Sequence, residues 1–472
     1  MGTQKFGVIG LGVMGQNIAL NVERNGFPVS VYNRTTSKME EFVATHGEGR
    51  NLIGQAELQD FVASLERPRR ILIMVQAGKA TQAVIDQIAP FLEDGDILID
   101  GGNAHFPDTE RRAKDAEDKP YNFFGMGISG GEEGALWGPS LMPGGARSSY
   151  NDLEPILTKI AAKTDSGPCV TWCGHNSAGH FVKMVHNGIE YGDMQLIAEA
   201  YDILRNLGGI ESGDEMASIF TDWNDGELQS FLIEITSQLV NHKDAETGDL
   251  LVNKIKDAAA QKGTGKWTSQ AALDLGVPIP TITAAVDGRL MSALFDQRHA
   301  AAKVLSGVKP ATLSALDKAA FVEDVRLALY AAKVCSYAQG MALIGNASKE
   351  FGYETNLGET ARIWKGGCII RAVFLDKIKS AFDRNASLPN LMMDAEFAQI
   401  LQNCEAAWRR VVTTAVNSGL AVPALSASLA YYDTYRRARG PAYIIQAQRD
   451  FFGAHTFERL DKPGSFHENW TS

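Results

Sequence analysis

The stretch Gly179 to Met194 carries the densest set of reactive side chains in the sequence: Lys183, His186, Asn187, Glu190 and Tyr191. At about 100° per residue these five fall within an arc of roughly 140° on one face of a helix. Phe181, Met184, Val185, Gly188, Ile189 and Gly192 fall on the opposite side, which can pack, with the two glycines admitting a close neighbour. Lys183 and Glu190 stand about 10.5 Å apart along the axis at a rise of about 1.5 Å per residue, so both long side chains can converge on one small substrate. An amine accepts a proton only when its pKa is lowered, and burial or a nearby positive charge does that; a carboxyl kept protonated can give one to carbon. A solvated polar stripe is the competing reading. The chemical diversity of the five groups and the poor helix-forming sequence His186-Asn187-Gly188 favour a helix that lines a cleft.

The elements that would position this helix begin at the N-terminus. Phe6 to Ile9, Val29 to Tyr32, Ile71 to Val75, Ile97 to Asp100 and Phe123 to Ile128 read as strands alternating with helical stretches, the rhythm of a Rossmann-like, doubly wound α/β sheet. Ile71 to Val75 is apolar on both parities and is expected to be central. Gly10-Leu11-Gly12-Val13-Met14-Gly15 follows the first strand at once and leads into a helix expected over Gln16 to Asn25. Gly10 permits the tight turn, Gly12 lets the main chain approach a pyrophosphate, and Gly15 allows close helix packing, while the helix N-terminus offers free amides. Where an NAD site would place an acid at the end of the second strand, the chain has Asn33-Arg34-Thr35. Arg34 suits a 2′-phosphate, and Asn33 and Thr35 can donate to it without repelling it, so NADP is the expected cofactor. Ligands of open α/β sheets sit at the carboxyl ends of the strands, here Asp100-Gly101-Gly102-Asn103 and Ser129-Gly130-Gly131, whose amides and side chains can hold a carboxylate or hydroxyl. Neutral Lys183 would then take a hydroxyl proton while hydride leaves the same carbon for the cofactor.

After about residue 177 the pattern changes to long Ala-, Leu-, Ile- and Met-rich stretches with a period near 3.6, so a large all-helical domain is expected, and past Arg436 a tail rich in aromatic, Gly and Pro positions. The 472 residues, 45% hydrophobic and 21% charged, supply a sizeable core. With 45 basic and 56 acidic side chains the net charge is −11, which argues against nucleic-acid backbone binding and requires any anionic ligand to meet a local cationic cluster. Five cysteines without redox or zinc spacing read as reduced thiols of a cytoplasmic protein, and no apolar leader predicts export. The uncharged run Val411 to Tyr432 is broken by Asn417-Ser418-Gly419 and Pro423, so it reads as two buried helices rather than a membrane span. Gln261-Lys262-Gly263-Thr264-Gly265-Lys266-Trp267 resembles a phosphate loop superficially, but Trp267 stands where Ser or Thr is needed. Lys262, Arg289, Arg449 and His455 remain as candidate partners of an anionic substrate, and no cluster has metal-ligand spacing, so metal-free chemistry is expected.

Seven segments together resemble the decarboxylating 6-phosphogluconate dehydrogenase family: Gly10 to Gly15, Asn33-Arg34-Thr35, Ile99 to Asn103, Ser129 to Gly134, Gly179 to Gln195, Lys262 to Thr268 and Gln446 to His455. The resemblance implies oxidation of 6-phosphogluconate by NADP, decarboxylation, and tautomerisation to ribulose 5-phosphate. It implies Lys183 as base then acid, Glu190 as final proton donor, and Val75, Gln76, Ala77 and Asn103 beside the cofactor. It implies Asn103, Ser129, Gly130, Gly131, His186 and Asn187 around the sugar acid, with Tyr191, Lys262 and Arg289 at its phosphate. It further implies a homodimer whose tails cross, bringing Arg449 and His455 into the partner's site. Gln76 departs from the Lys that many relatives have. The corresponding division is 1–177 for the cofactor domain, 178–435 for the helical substrate and dimerisation domain, and 436–472 for the tail. Another β-hydroxyacid dehydrogenase, such as one acting on 3-hydroxyisobutyrate, or a non-catalytic NADP-binding protein, are the alternatives.

Overall fold

The short β-rich runs assemble into one sheet of seven strands: β1 (Phe6–Ile9), β2 (Val29–Tyr32), β3 (Leu52–Gln55), β4 (Arg70–Ile73), β5 (Asp96–Asp100), β6 (Tyr121–Ser129) and β7 (Ser140–Gly144). Their order is β3-β2-β1-β4-β5-β6-β7. The first six are parallel, and β7 runs antiparallel to β6. Helices α1 (Val13–Arg24), α2 (Thr36–His46), α3 (Leu58–Ala63), α4 (Lys79–Ile88), α5 (Phe106–Ala116), α6 (Gly131–Trp137) and α7 (Arg147–Ile160) connect and cover the strands. Ile71, Leu72 and Ile73 of central β4 are completely buried, which is why that run lacks alternation. This is a computed structural model, and it describes residues 2–314 and 317–471; Met1 and Ser472, the outer ends of the expected first domain and tail, lie outside the described residues.

The sheet departs from the sequence expectation at three places, each for a local reason. β3 has only Leu52 fully buried and ends in Gly54 and Gln55, so it carries almost no strand signal. β7 is not among the expected strands; it contains Pro143 and Gly144, and at the end of the sheet order a missing N–H is tolerated. β4 ends at Ile73, two residues short of the expected run, and Val75 instead lines the pocket at the strand's carboxyl end. Helix α1 starts at Val13, inside the glycine loop, rather than at Gln16.

A small hairpin, β8 (Lys163–Thr164) and β9 (Gly167–Pro168), precedes the long helix α8 (Ala178–Asn206). The helical part continues with α9 (Gly213–Asn224), α10 (Phe231–Leu239), α11 (Thr264–Asp274), α12 (Pro280–Ala293), α13 (Phe295–Ala301), α14 (Lys318–Glu350), α15 (Leu357–Ile363), α16 (Leu375–Arg384), α17 (Ala395–Asn417) and α18 (Pro423–Tyr435). Helices α8, α14 and α17 form its centre, and Tyr337, Trp364 and Trp408 are wholly buried there. α14 has the length and hydropathy of a membrane span, but 89% of its most apolar window is buried inside the protein. The run from Val411 to Tyr432 is divided between α17 and α18, as its Ser-Gly and Pro punctuation requires. The tail holds α19 (Ala442–Gly453) and a hairpin of β10 (Phe457–Glu458) with β11 (Ser465–Phe466).

Candidate active site

Helix α8 runs alongside β6 and β7, with His180 beside Gly125, Lys183 beside Gly127 and Gly179 beside Gly144, and packs also against α11, α12 and α14. Its approach to β6 is so close that a Cβ at Gly127 would lie 2.3 Å from that of Lys183. The polar face is therefore not solvated: Lys183 is 7% exposed, His186 and Tyr191 are buried, and Asn187 and Glu190 are half-buried. Lys183 Nζ lies 3.4 Å from His186 Nδ1, which is 3.1 Å from Asn187 Oδ1. His186 Nε2 is 3.5 Å from Ser129 Oγ at the end of β6, and Asn187 Nδ2 donates to Thr264 Oγ1 at 3.2 Å. The edge of the Trp364 ring packs on His186.

The electrostatics of this face follow from its burial. Desolvation pushes the Lys183 amine toward its neutral form, opposed by Glu190 and Cys368. Desolvation also raises the Glu190 carboxyl, with Lys183 and Arg289 opposing and Asp193 reinforcing. His186 is driven well below its ordinary range by burial and by Lys183, so it is a neutral hydrogen-bonding group. An amine moved toward deprotonation and a carboxyl moved toward protonation form a pair suited to accepting and donating protons in turn.

In front of this face opens a cleft of about 780 Å³ lined by Val75, Gln76, Ala77, Asn103, Asn187, Glu190, Tyr191, Lys262 and Arg289, with Gln261, Thr264 and Trp267. Lys183, His186 and Ser129 do not line this cleft, and His186 links Lys183 and Ser129 to Asn187, which does. The Arg289 guanidinium lies 3.5 Å above the Tyr191 ring, which orients the cation at the cleft wall. Helix α11 starts at the cleft with Gly263 as its N-cap, at φ 97°, and no side chain satisfies its first amides. Its N-terminus and Lys262 together make a positive pole.

A second pocket, about 380 Å³, is lined by Gly10, Leu11, Gly12, Asn33, Arg34, Thr35 and Lys38 and shares Val75 and Gln76 with the first. The two therefore lie on either side of Val75 and Gln76. Gly10 has φ 98°, and a Cβ there would come within 2.5 Å of the Met74 carbonyl. Gly12, by contrast, faces open space, and the first turn of α1, with Val13, Met14 and Gly15, has no side-chain cap. That cradle fits a pyrophosphate. Asn33 lines this pocket and also ties its loop: its Oδ1 accepts from Leu11 N at 3.0 Å and its Nδ2 donates to the Thr35 carbonyl at 2.9 Å. It stitches the glycine loop to β2, and Arg34, Thr35 and Lys38 line the pocket beside it.

Gly130 and Gly131 both have positive φ, and only Gly131 has open space where a side chain would be; a Cβ at Gly130 would meet the Gly367 carbonyl at 2.8 Å. Arg449 and His455 are not brought to the cleft of their own chain. Both are exposed on the tail, where Arg449 donates to Gln446 and His455 packs on Phe452. Lys38, Thr264 and Trp267 line the pockets without having been singled out for binding. Lys38 is one turn beyond the Arg34 loop and could have been read from that spacing; Trp267 stacks on His105 with ring centres 4.8 Å apart, a contact across elements that has no local signal.

Two family models match the chain: the NAD binding domain of 6-phosphogluconate dehydrogenase over residues 5–174 and the 6-phosphogluconate dehydrogenase C-terminal domain over residues 179–470. The decarboxylating 6-phosphogluconate dehydrogenase of Synechococcus elongatus is 56% identical over 472 residues, covering all of both chains. The NADP(+)-dependent decarboxylating enzyme of Bacillus subtilis is 54% identical over 472 residues, again covering all of both. Among solved structures, 6-phosphogluconate dehydrogenase of Plasmodium falciparum, determined apo, with its cofactor NADP+ and with its substrate 6-phosphogluconate, has a TM-score of 0.95 at 42% identity and covers 99% of this chain and 100% of its own.

Proposed function

The chain belongs to the decarboxylating 6-phosphogluconate dehydrogenase family, which converts 6-phosphogluconate and NADP to ribulose 5-phosphate, carbon dioxide and NADPH, and from that premise we propose how its residues divide the reaction. Loss of carbon dioxide needs a carbonyl β to the carboxylate, so the hydroxyl oxidised is the one at the third carbon. Lys183, neutral when the substrate arrives, takes the proton of that hydroxyl. NADP, when bound, supplies the acceptor for the hydride that leaves the same carbon. The protonated Lys183 then returns its proton to the new carbonyl oxygen as the C1–C2 bond breaks, and the electron pair of that bond forms the enediol. Glu190 gives a proton to the carbon that lost the carboxylate, and Lys183 takes the enol proton, leaving the ketone product.

The observation that carries this reading is the single buried helix face on which burial drives Lys183 and Glu190 both toward neutrality, where the cofactor pocket meets a cationic cleft. Asn103, Ser129, His186, Asn187 and the amides of Gly130 and Gly131 hold the sugar acid. Lys262, Arg289, Tyr191 and the open N-terminus of α11 hold its phosphate. The chain acts as a homodimer, and Arg449 and His455 complete the partner's cleft; the exposed Tyr443, Ile444, Ile445, Phe451 and Phe452 of α19 support a tail that docks elsewhere than on its own chain. The division at 177 and 435 is supported by α8 starting at Ala178 and α18 ending at Tyr435. Five buried thiols support a reducing compartment, the cytoplasm.

Lys183→Met tests the scheme. With NADPH and carbon dioxide followed together, turnover is expected to fall by a factor on the order of 10²–10⁴ while the NADP dissociation constant stays within about twofold. Wild-type turnover in this variant would remove Lys183 from the mechanism, and NADPH without carbon dioxide in the unmodified protein would make it a simple dehydrogenase.

A further inference from the structure

His180 lies three residues before Lys183 on α8 and takes no part in the steps above. Its ring is 2% exposed, and Nδ1 is 2.7 Å from the hydroxyl of Thr109, a wholly buried residue of α5. Gly125 on β6 opens the space for the pair: a Cβ there would fall 2.5 Å from Thr109 Cγ2 and 2.7 Å from His180 Nδ1. The backbone of Asp100 and of Gly102 favours the protonated ring, and among the described residues Nε2 has no hydrogen-bond partner of good geometry. With Thr109 as the donor, Nδ1 accepts and Nε2 carries the ring proton. Burial keeps the imidazole neutral, Asp100 opposing and Arg112 reinforcing.

His180 thus ties the helix of Lys183 to α5, the helix that follows the turn carrying Asn103 and that grips the turn through Arg112 and Asp100. The turn has little of its own to fix it. Gly101 and Gly102 contribute no side chains, and its anchor is Asp100, whose carboxylate accepts from Gly102 N at 3.0 Å and pairs with Arg112 at 3.2 Å. We propose that His180 is a positioning residue, which with Thr109 fixes the Asn103 turn against the Lys183-bearing helix so that the hydroxyl-bearing carbon is held between amine and cofactor. The proposal rests on the roles given to Lys183 and Asn103 above. Displacements well under the length of a bond are enough to slow hydride transfer, because reacting atoms must be aligned as well as near.

The test compares His180→Phe, which keeps ring volume but removes both nitrogens, Thr109→Val, the double variant, and His180→Gln, whose amide can reach the Nε2 position. Turnover, KM and the isotope effect with 3-deuterated 6-phosphogluconate are measured for each. In His180→Phe, turnover is expected to fall about tenfold or more with KM changed less than about threefold and the isotope effect raised. Thr109→Val moves the same way by a smaller factor, the double variant is no worse than His180→Phe, and His180→Gln recovers most of the rate. Wild-type turnover and isotope effect in His180→Phe and Thr109→Val, whatever their melting temperatures, would overturn the proposal. If His180→Phe does not fold, wild-type values in Thr109→Val alone overturn it. A dead Lys183→Met beside wild-type Thr109 and His180 variants would sink only the positioning role, whereas an active Lys183→Met would sink the scheme beneath it.

Discussion

Lys183 and Glu190 would form an ordinary salt bridge if they met on a wet surface, and neither would then be useful. Burial on α8 disfavours both charged forms, and that preference opposes their mutual attraction. Asp193, one turn beyond Glu190, adds a like charge that favours the protonated acid, while its own carboxylate is held by the buried Lys333 ammonium at 2.9 Å and Tyr337 at 3.2 Å. The cofactor end depends on charge in the opposite way, by keeping it exposed. Arg34 and Lys38 flank the pocket where a 2′-phosphate would sit, and Asn33 is occupied with the backbone. Arg34→Asp is therefore expected to raise the NADP dissociation constant on the order of a hundredfold and to leave NAD binding within a few fold, because a cation is replaced by a repelling anion at a group NAD lacks. Titration calorimetry with each nucleotide checks it, and an unchanged NADP over NAD ratio would reject Arg34 as the selecting residue.

At the scale of elements, α8 explains both what the sequence disclosed and what it concealed. Its five polar groups recur with helical spacing, so this polar face could be drawn from local order alone. The glycine loop and Arg34 were legible for the same reason, each being a short segment whose backbone demands fix the residue type. His180 and Trp267 were not, because their contacts are with Thr109 and His105, partners far away in sequence, and β7 was not, because its Pro143 and Gly144 lack strand signal although β6 is its neighbour in the chain. Further along α8, Glu199 illustrates the same limit. Only 3% exposed, it accepts from Ala424 N at 2.8 Å and Leu425 N at 2.9 Å, capping α18 from outside its own sequence neighbourhood. Burial pushes its carboxyl up to about 7, against the pull of those amides and of Gln195. The folded protein holds this proton more tightly than the unfolded chain, so the stabilisation is full below the ordinary carboxylate range and is lost as pH rises through about 7. At about 1.4 kcal/mol per pH unit the loss amounts to about 3 kcal/mol. Denaturant midpoints between pH 5 and 8 should fall for the unmodified protein more steeply than for Glu199→Gln, and parallel curves would refute the assignment.

For the whole molecule, the tail is the part that its own chain leaves unexplained. Tyr443, Ile444, Ile445, Phe451 and Phe452 are all at least 49% exposed along α19, while Asp450 is fully buried by His467, Glu468 and Trp470 of the tail itself. Asp450 thus folds the tail into a unit with an apolar outside, a surface suited to burial against another subunit. Arg449 and His455 ride on that unit, away from the cleft that Lys262 and Arg289 line. If the tail completes the partner's site, two defective chains should repair each other. Lys183→Met contributes a dead cleft with an intact tail, and Arg449→Ala contributes a sound cleft with a defective tail. After subunit exchange, each mixed dimer holds one cleft with both Lys183 and a partner's Arg449, so an equimolar mixture that is half mixed dimers should recover about a quarter of unmodified activity at substrate levels where Arg449→Ala alone is weak. A tail that served its own subunit would give no recovery, because no chain in the mixture would then carry both residues. Mass spectrometry showing mixed dimers without a rise in activity is the result that would return Arg449 to the surface.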